Sequence, residues 1–276
     1  MKKTPHSLKR LLISSAAVAA SLQILTGCVT HAPERISDQS TQAVLWLQNS
    51  GEYQALCYQA FNAAKDAVDQ AKASQTKPWA VVVDLDETML DNSPYAAWLL
   101  HNQDSYASAT WAAWCEAAEA PAIPGALEFA KHVIAQGGAL FYVSNRSDEV
   151  FDATVKNLQA LGFPEPTASR VFLKTDTSNK QARFQKVTDA GYEIVLMIGD
   201  NLNDFPEIGT WHQANEPRNQ ATASYQSAFG QRFIVLPNPS YGDWEAGMAA
   251  DYHALSAKEK LQVRRESLQA WSGSAE

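Results

Sequence analysis

Short apolar runs alternate along this chain with stretches whose apolar positions recur every three or four residues. The runs Ala80–Leu85, Ala139–Val143, Arg170–Leu173, Ile194–Ile198 and Phe233–Leu236 read as strands. Between them the helical period appears. One helix is expected from about Gly125 to Gln136, stopped by Gly137-Gly138. A second, with Asp148 as its cap, carries Phe151, Val155 and Leu158 and closes at Gly162. A third runs from about Asn179 to Ala190 and closes at Gly191. Strands and helices of this length in alternation predict a doubly wound α/β fold, a parallel sheet with helices on both faces. The core is expected over 78–237. Residues 38–77, broken at Asn49-Ser50-Gly51, the Trp- and Ala-rich insertion 93–121, and residues 238–276 together predict a smaller, mostly α-helical lobe.

Composition narrows the class. The chain has 276 residues, 46% of them hydrophobic, enough for a sizeable core. Its formal charge is −8, unevenly spread: residues 1–27 contain Lys2, Lys3, Lys9 and Arg10 and no acids. The rest is therefore more acidic than the whole, which argues against a nucleic-acid polymer as partner. The basic stretch to Arg10 followed by the apolar run Leu11–Leu25 has the form of an export signal, too short for a membrane span. It ends in Leu25-Thr26-Gly27-Cys28, which resembles a bacterial lipobox. A secretory signal with a chance cysteine is the alternative. Lipidation of Cys28 would anchor the protein stably, with residues 28–37 as a tether, and Val29 after it implies, by the same resemblance, sorting to the outer membrane. Of the other cysteines, Cys57 and Cys115, the sequence leaves open a disulfide or two buried thiols.

Two clusters carry the chemistry. Val83-Asp84-Leu85-Asp86-Glu87-Thr88 and Ile198-Gly199-Asp200-Asn201-Leu202-Asn203-Asp204 each follow an apolar run. Both should lie at the carboxyl edge of the sheet, where α/β proteins bind ligands. Alone, an Asp-x-Asp pair caps a helix as readily, and a Gly-Asp pair makes a turn. Together, four carboxylates on one edge repel unless a cation joins them, and a hard ion such as Mg²⁺ suits oxygen donors. Phosphoryl transfer needs a nucleophile, a proton donor and positive charge on the transferring oxygens. Asp84 is placed as nucleophile and Asp86 as general acid and base. Ser144 would bond a phosphoryl oxygen and Lys180 would neutralise charge. Lys174 is the rival lysine; Lys180 is preferred because it opens a helix. Asp200 and Asp84 would ligate the ion, while Asp204 would hold a metal-bound water or orient Lys180.

The four pieces, Asp84 to Thr88, Ser144, Lys180 and Gly199 to Asp204, resemble the four motifs of the haloacid dehalogenase superfamily in order and location. Asp91-Asn92-Ser93-Pro94-Tyr95, Ser144-Asn145-Arg146 and Asp204-Phe205 narrow the likeness to the class C nonspecific acid phosphatases, a family of lipoproteins and 5′-nucleotidases. The resemblance implies a Mg²⁺-dependent phosphomonoesterase working through a phosphoaspartyl intermediate, with the Asp86 carbonyl completing the metal ligands. It implies Trp111 and Tyr241, with Asn145, as substrate-binding residues for 5′-nucleotides, nicotinamide mononucleotide among them, and leaves a homodimer open. Tyr95, Trp114 and Trp244 are further aromatics outside the regular core pattern. A different class, a surface lipoprotein binding haem over a vestigial site, is opposed by the histidines: His31, His101, His132, His212 and His253 show no paired spacing.

Overall fold

The computed structural model describes residues 35–273. The signal segment, Cys28 and most of the tether lie outside them. No helix among the described residues is long and apolar enough to cross a membrane.

Five parallel strands form one sheet: β1 (Trp79–Val83), β2 (Ala139–Ser147), β3 (Val171–Lys174), β4 (Glu193–Gly199) and β5 (Phe233–Val235), in the order β3-β2-β1-β4-β5. The chain steps outward from β1 to β3, then returns to the other side of β1 for β4 and β5. The reversal lies between β1 and β4, and a crevice opens at the carboxyl ends of strands on either side of such a reversal. All five residues of β1 are buried, as a central parallel strand covered on both faces requires.

The period-2 alternation divides β1 between two cores. Val81 and Val83 face one side with Leu140, Tyr142, Leu196 and Ile198; Ala80 and Val82 face the other with Phe141, Val143 and Met197. Helices α1 (Thr41–Asn49) and α2 (Gly51–Ser74) break at Ser50, whose hydroxyl accepts from the Tyr53 amide and caps α2. Although the sequence groups α2 with the helical lobe, its stripe Tyr53, Cys57, Phe61, Ala64 and Val68 is buried in the first core against the sheet. The insertion folds as α3 (Ser93–Asn102) and α4 (Ser108–Ala117), separated where Gln103 turns left-handed. Then come α5 (Ala126–Ala135), α6 (Phe151–Leu161) and α7 (Gln181–Asp189). Phe129 of α5 stacks on Phe61 of α2 at 5.6 Å, so both helices cover one face, while Phe184 and Val187 of α7 cover the other. The remaining helices are α8 (Asn215–Ser224), α9 (Asp243–Ala246) and α10 (Ala257–Glu266). Arg264 of α10 bonds Gln39 at 2.7 Å, tying the last helix to the start of the described chain.

Two local expectations are corrected. β2 does not stop at Val143 but continues through the polar run to Ser147, with an irregularity between Val143 and Ser147 where the pairing with β3 resumes at Lys174. Asp148 does not cap α6: the Ser147 hydroxyl accepts from the Glu149 amide and starts a 3-10 turn over Asp148–Val150 that leads into the helix. Cys57 and Cys115 are both free and buried.

Candidate active site

Asp84 leaves β1 at the reversal and stays tied to its neighbour, its amide donating to the Ile198 carbonyl at 2.8 Å. The following loop closes on itself. The amides of Met89 and Leu90 both donate to the Leu85 carbonyl at 2.8 Å, and the Glu87 amide donates to the Leu90 carbonyl at 2.8 Å. Glu87 at its apex has a φ of 57°, a left-handed conformation costly for a residue with a Cβ. The turn sends Asp86 to the side of β2 and Glu87 toward the C-terminal segment.

From β4, Asp200 follows Gly199, and Asp204 folds back over the strand end. A Cβ at position 199 would lie 2.3 Å from the Asp204 side chain, so glycine is needed for the approach. Asp204 Oδ2 accepts from the Asn201 amide at 2.9 Å while the Asn201 side chain accepts from Asn203, a capping box on the 3-10 turn Leu202–Asp204. Ligand atoms of Asp84, Asp200 and Asp204 fall within 4.8 Å of one another.

Lys180, 2% exposed at the start of α7, reaches into this group. Its ammonium donates to Asp84, to Asp204 Oδ1 at 2.7 Å and to the Val143 carbonyl at 2.7 Å. Burial works against its charge, but Asp204 and Asp84 more than offset that and hold its pKa above the ordinary lysine value. One ammonium does not neutralise three carboxylates. Burial pushes the Asp84 carboxyl up despite Lys180, with Asp204 and Asp86 adding repulsion. Asp200 is raised further, by burial and then by Asp204 and Asp84, and its hydrogen bonds are neutral: the Thr88 hydroxyl at 3.3 Å and the Asn238 amide at 2.8 Å. Buried oxygen donors with surplus negative charge fit a hard divalent cation. Asp84, Asp200 and Asp204 are the side chains positioned to hold one.

Asp86 sits beside this cluster, half-buried. Its Oδ2 accepts from the Ser144 hydroxyl at 3.2 Å. Its Oδ1 accepts from Arg146 and from Asn92 Nδ2. Arg183, buried on α7, donates to the Ser144 carbonyl and to Asn145 Oδ1 at 2.6 Å, fixing the polar end of β2 from the other face. Ser144 is buried and Asn145 exposed. Asp84, Asp86, Ser144, Lys180, Asp200 and Asp204 thus meet at one sheet edge, whereas Lys174 ends β3 in register with Ser147 of β2.

The aromatics approach from two directions. Tyr95 is 7% exposed and is the centre of a cluster, with Trp111 edge-on at 5.2 Å and Trp114 stacked at 6.5 Å. Trp111 also lies 5.7 Å beneath the Arg146 guanidinium, and the Trp114 indole N–H donates to Asn92 Oδ1 at 2.8 Å. From the C-terminal side, Tyr241 keeps its ring half exposed while its hydroxyl turns inward to Glu87. Glu87 is 3% exposed, also accepts from the Asn92 amide at 2.9 Å, and is pushed up to about 8 by burial and by Asp86. Trp244 is exposed, and the carbonyl of its residue accepts from Asn215 at 2.8 Å.

Sequence reasoning left out five of these participants: Glu87, Asn92, Arg146, Arg183 and Asn238. The signal for Arg146 was present in the Ser144-Asn145-Arg146 string, and for Glu87 in its place between Asp86 and Thr88. Asn238 gave none; its role exists because the segment after β5 crosses the end of β4.

Comparison with known proteins gives the family and the fold. The model of the HAD superfamily, subfamily IIIB (acid phosphatase), matches residues 2–244. The class C acid phosphatase from Bacillus anthracis superposes with a TM-score of 0.81 at 38% identity, covering 86% of this chain and 99% of that one. The same enzyme with tungstate bound gives 0.82 at 37% identity and the same coverage. Acid phosphatase 1 of Solanum lycopersicum is 27% identical over 165 residues, 58% of this chain and 57% of its own length. Vegetative storage protein 1 of Arabidopsis thaliana is 28% identical over 173 residues, 59% and 62% respectively. The chain therefore spans about three fifths of the length of these plant relatives.

Proposed function

Because this chain belongs to the acid phosphatases of the HAD superfamily, subfamily IIIB, we propose that it hydrolyses phosphomonoesters at the sheet edge between β1 and β4, with Asp84 as nucleophile. The observation that carries this is the gathering of Asp84, Asp200 and Asp204 into one group, with the buried Lys180 ammonium paired to Asp84 and Asp204 and with Asp86 and Ser144 alongside. Tungstate, bound by the Bacillus anthracis relative, is a tetrahedral oxyanion like phosphate.

A divalent cation, which we take to be Mg²⁺, would be held by Asp84 and Asp200, with Asp204 beside them and the Asp86 carbonyl completing the protein ligands; bound, it supplies positive charge to the transferring phosphoryl group. The chain's own residues do the rest. Asp84 attacks phosphorus and forms an acyl phosphate, splitting one hard displacement into two easier ones. Lys180 keeps the Asp84 carboxylate oriented and offsets charge on the phosphoryl oxygens. Ser144 donates to one of those oxygens. Asp86 gives a proton to the departing alcohol and later takes one from the water that releases Asp84. An acidic optimum is expected, as the acid-phosphatase family implies. Nucleoside 5′-monophosphates are the substrates this reading favours, with Trp111, beside Arg146, and the half-exposed Tyr241 ring offered to the base and Asn145 to the polar part. Lipidation at Cys28 would hold the enzyme on the outer membrane.

The test is turnover of p-nitrophenyl phosphate with Mg²⁺, followed by a nucleotide panel. Asp84→Asn is expected to abolish hydrolysis in a folded protein; near-normal turnover by that variant would overturn the assignment. Cys28→Ser is expected to move the protein from the membrane to the soluble fraction and to end incorporation of labelled palmitate.

A further inference from the structure

Arg146 is 1% exposed, near the end of β2. Its Nε and Nη2 converge on one oxygen of Asp86, Oδ1, at 2.9 Å and 2.8 Å. Asn92 Nδ2 donates to the same oxygen at 2.9 Å. The two hydrogen bonds, from Arg146 Nε and Asn92 Nδ2, occupy both lone pairs of that oxygen, and Nη2 adds positive charge beside it. The other oxygen, Oδ2, faces Ser144, the residue assigned to the phosphoryl group, and accepts from its hydroxyl at a longer 3.2 Å. The carboxyl is therefore asymmetric: one oxygen committed to the protein interior, the other turned toward the chemistry.

The guanidinium is itself fixed. Nη2 reaches Asn92 Oδ1 at 3.3 Å and Nη1 reaches Thr154 of α6 at 3.4 Å. Trp111 lies beneath it, and Trp114 locks Asn92 from the same helix, α4. A planar fork held on several sides sets the plane of its partner as well as its position, which a lysine ammonium does not do.

We infer that Arg146 is the positioning residue of the proton donor, saturating Asp86 Oδ1 so that the proton resides on, and leaves from, Oδ2. The inference rests on the phosphomonoesterase reading above. In the first step the bond from Asp84 to phosphorus forms, the bond from phosphorus to the leaving oxygen breaks, and the Oδ2 proton passes to that oxygen. In the second, water attacks phosphorus, its proton returns to Oδ2, and the bond to Asp84 breaks. Arg146 touches neither phosphorus nor the leaving group; it acts through Asp86.

Leaving-group dependence separates this role from a purely structural one. Nitrophenolate departs without a proton, whereas an alkoxide needs one. The Arg146→Lys variant keeps the charge and loses the fork. The expected result is that kcat/KM for glycerol 2-phosphate falls far more than for p-nitrophenyl phosphate, shifting their ratio by about 100-fold, the scale of a general-acid contribution. Asn92→Ala, which removes the second donor to Oδ1, is expected to shift the ratio in the same direction by a smaller factor, and it decides the matter if Arg146→Lys does not fold. In an Asp86→Asn background, where there is no proton left to position, neither substitution should change the ratio further. Equal losses on both esters, an unchanged ratio in both variants, or a shift that persists without Asp86 would overturn the inference. A wild-type protein that hydrolyses neither ester with Mg²⁺ would instead overturn the phosphatase reading, and the inference with it.

Discussion

Asn238 shows how much one neutral side chain can govern at this site. Its amide donates to Asp200 Oδ2 at 2.8 Å, while its own carbonyl oxygen accepts from the Ser240 amide and hydroxyl at 2.9 Å and 2.6 Å. Asp200 is thereby aimed without being neutralised, which is what an incoming cation requires of a ligand. Removing an outer partner of this kind typically costs 10- to 100-fold in metal affinity. Asn238→Ala is expected to weaken Mg²⁺ binding by roughly 10-fold, read by titration calorimetry and by the Mg²⁺ concentration that half-saturates the gain in Tm. An unchanged affinity would mean that Thr88, the other partner of Asp200, suffices alone.

At the scale of elements, the strands that carry the aspartates were legible because they are uninterrupted apolar runs bounded by acidic turns. β1 and β4 are buried on both faces, and such strands need only hydrophobicity to be recognised. The extension of β2 was not legible. Ser144-Asn145-Arg146-Ser147 reads as a loop, and it holds strand geometry because Asp86 and Asn92, distant in sequence, make burial of Arg146 tolerable. The cap of α6 was misplaced by one residue for a local reason: Ser147 and Asp148 are both good caps, and only the backbone decides which side chain meets the amide. Glu87 was passed over because its partner, Tyr241, comes from 154 residues away. The packing of α2 on α5 is a firmer matter. Phe129 is fully buried and stacked on Phe61, where the two helices cover one face of the sheet. Phe129→Ala is expected to cost about 3–5 kcal/mol by lost burial and the cavity left behind, measured as a lower urea midpoint with an unchanged slope. A loss under about 1 kcal/mol would mean that the helices close the gap.

For the molecule as a whole, the site is a reservoir of unfavourable charge that a cation would relieve, and global stability should report it. In the unfolded chain carboxyls ionise near pH ~4. In the folded, metal-free protein Asp84, Asp200 and Glu87 are all raised, first by burial and then by neighbouring acids, Glu87 to about 8. Between those limits the folded state binds more protons than the unfolded one, so stability falls as pH rises. The contribution of these carboxyls is complete below about pH 4 and is lost as pH climbs through the folded values toward about 8. With EDTA present, Tm is therefore expected to decline from about pH 5 to about pH 8. Mg²⁺ should flatten the part owed to Asp84 and Asp200, because a bound cation stabilises their ionised forms and adds binding free energy to the native state alone. It should leave the part owed to Glu87, which is not one of the three gathered carboxylates and bonds Tyr241 and the Asn92 amide instead. Glu87→Gln, which imitates the protonated carboxyl, should remove that remainder, so that the variant with Mg²⁺ shows nearly level stability across the range. A metal-free Tm that rises over this interval would overturn the charge argument, and a Tm that Mg²⁺ leaves untouched at the alkaline end would show that Asp84 and Asp200 do not share an ion.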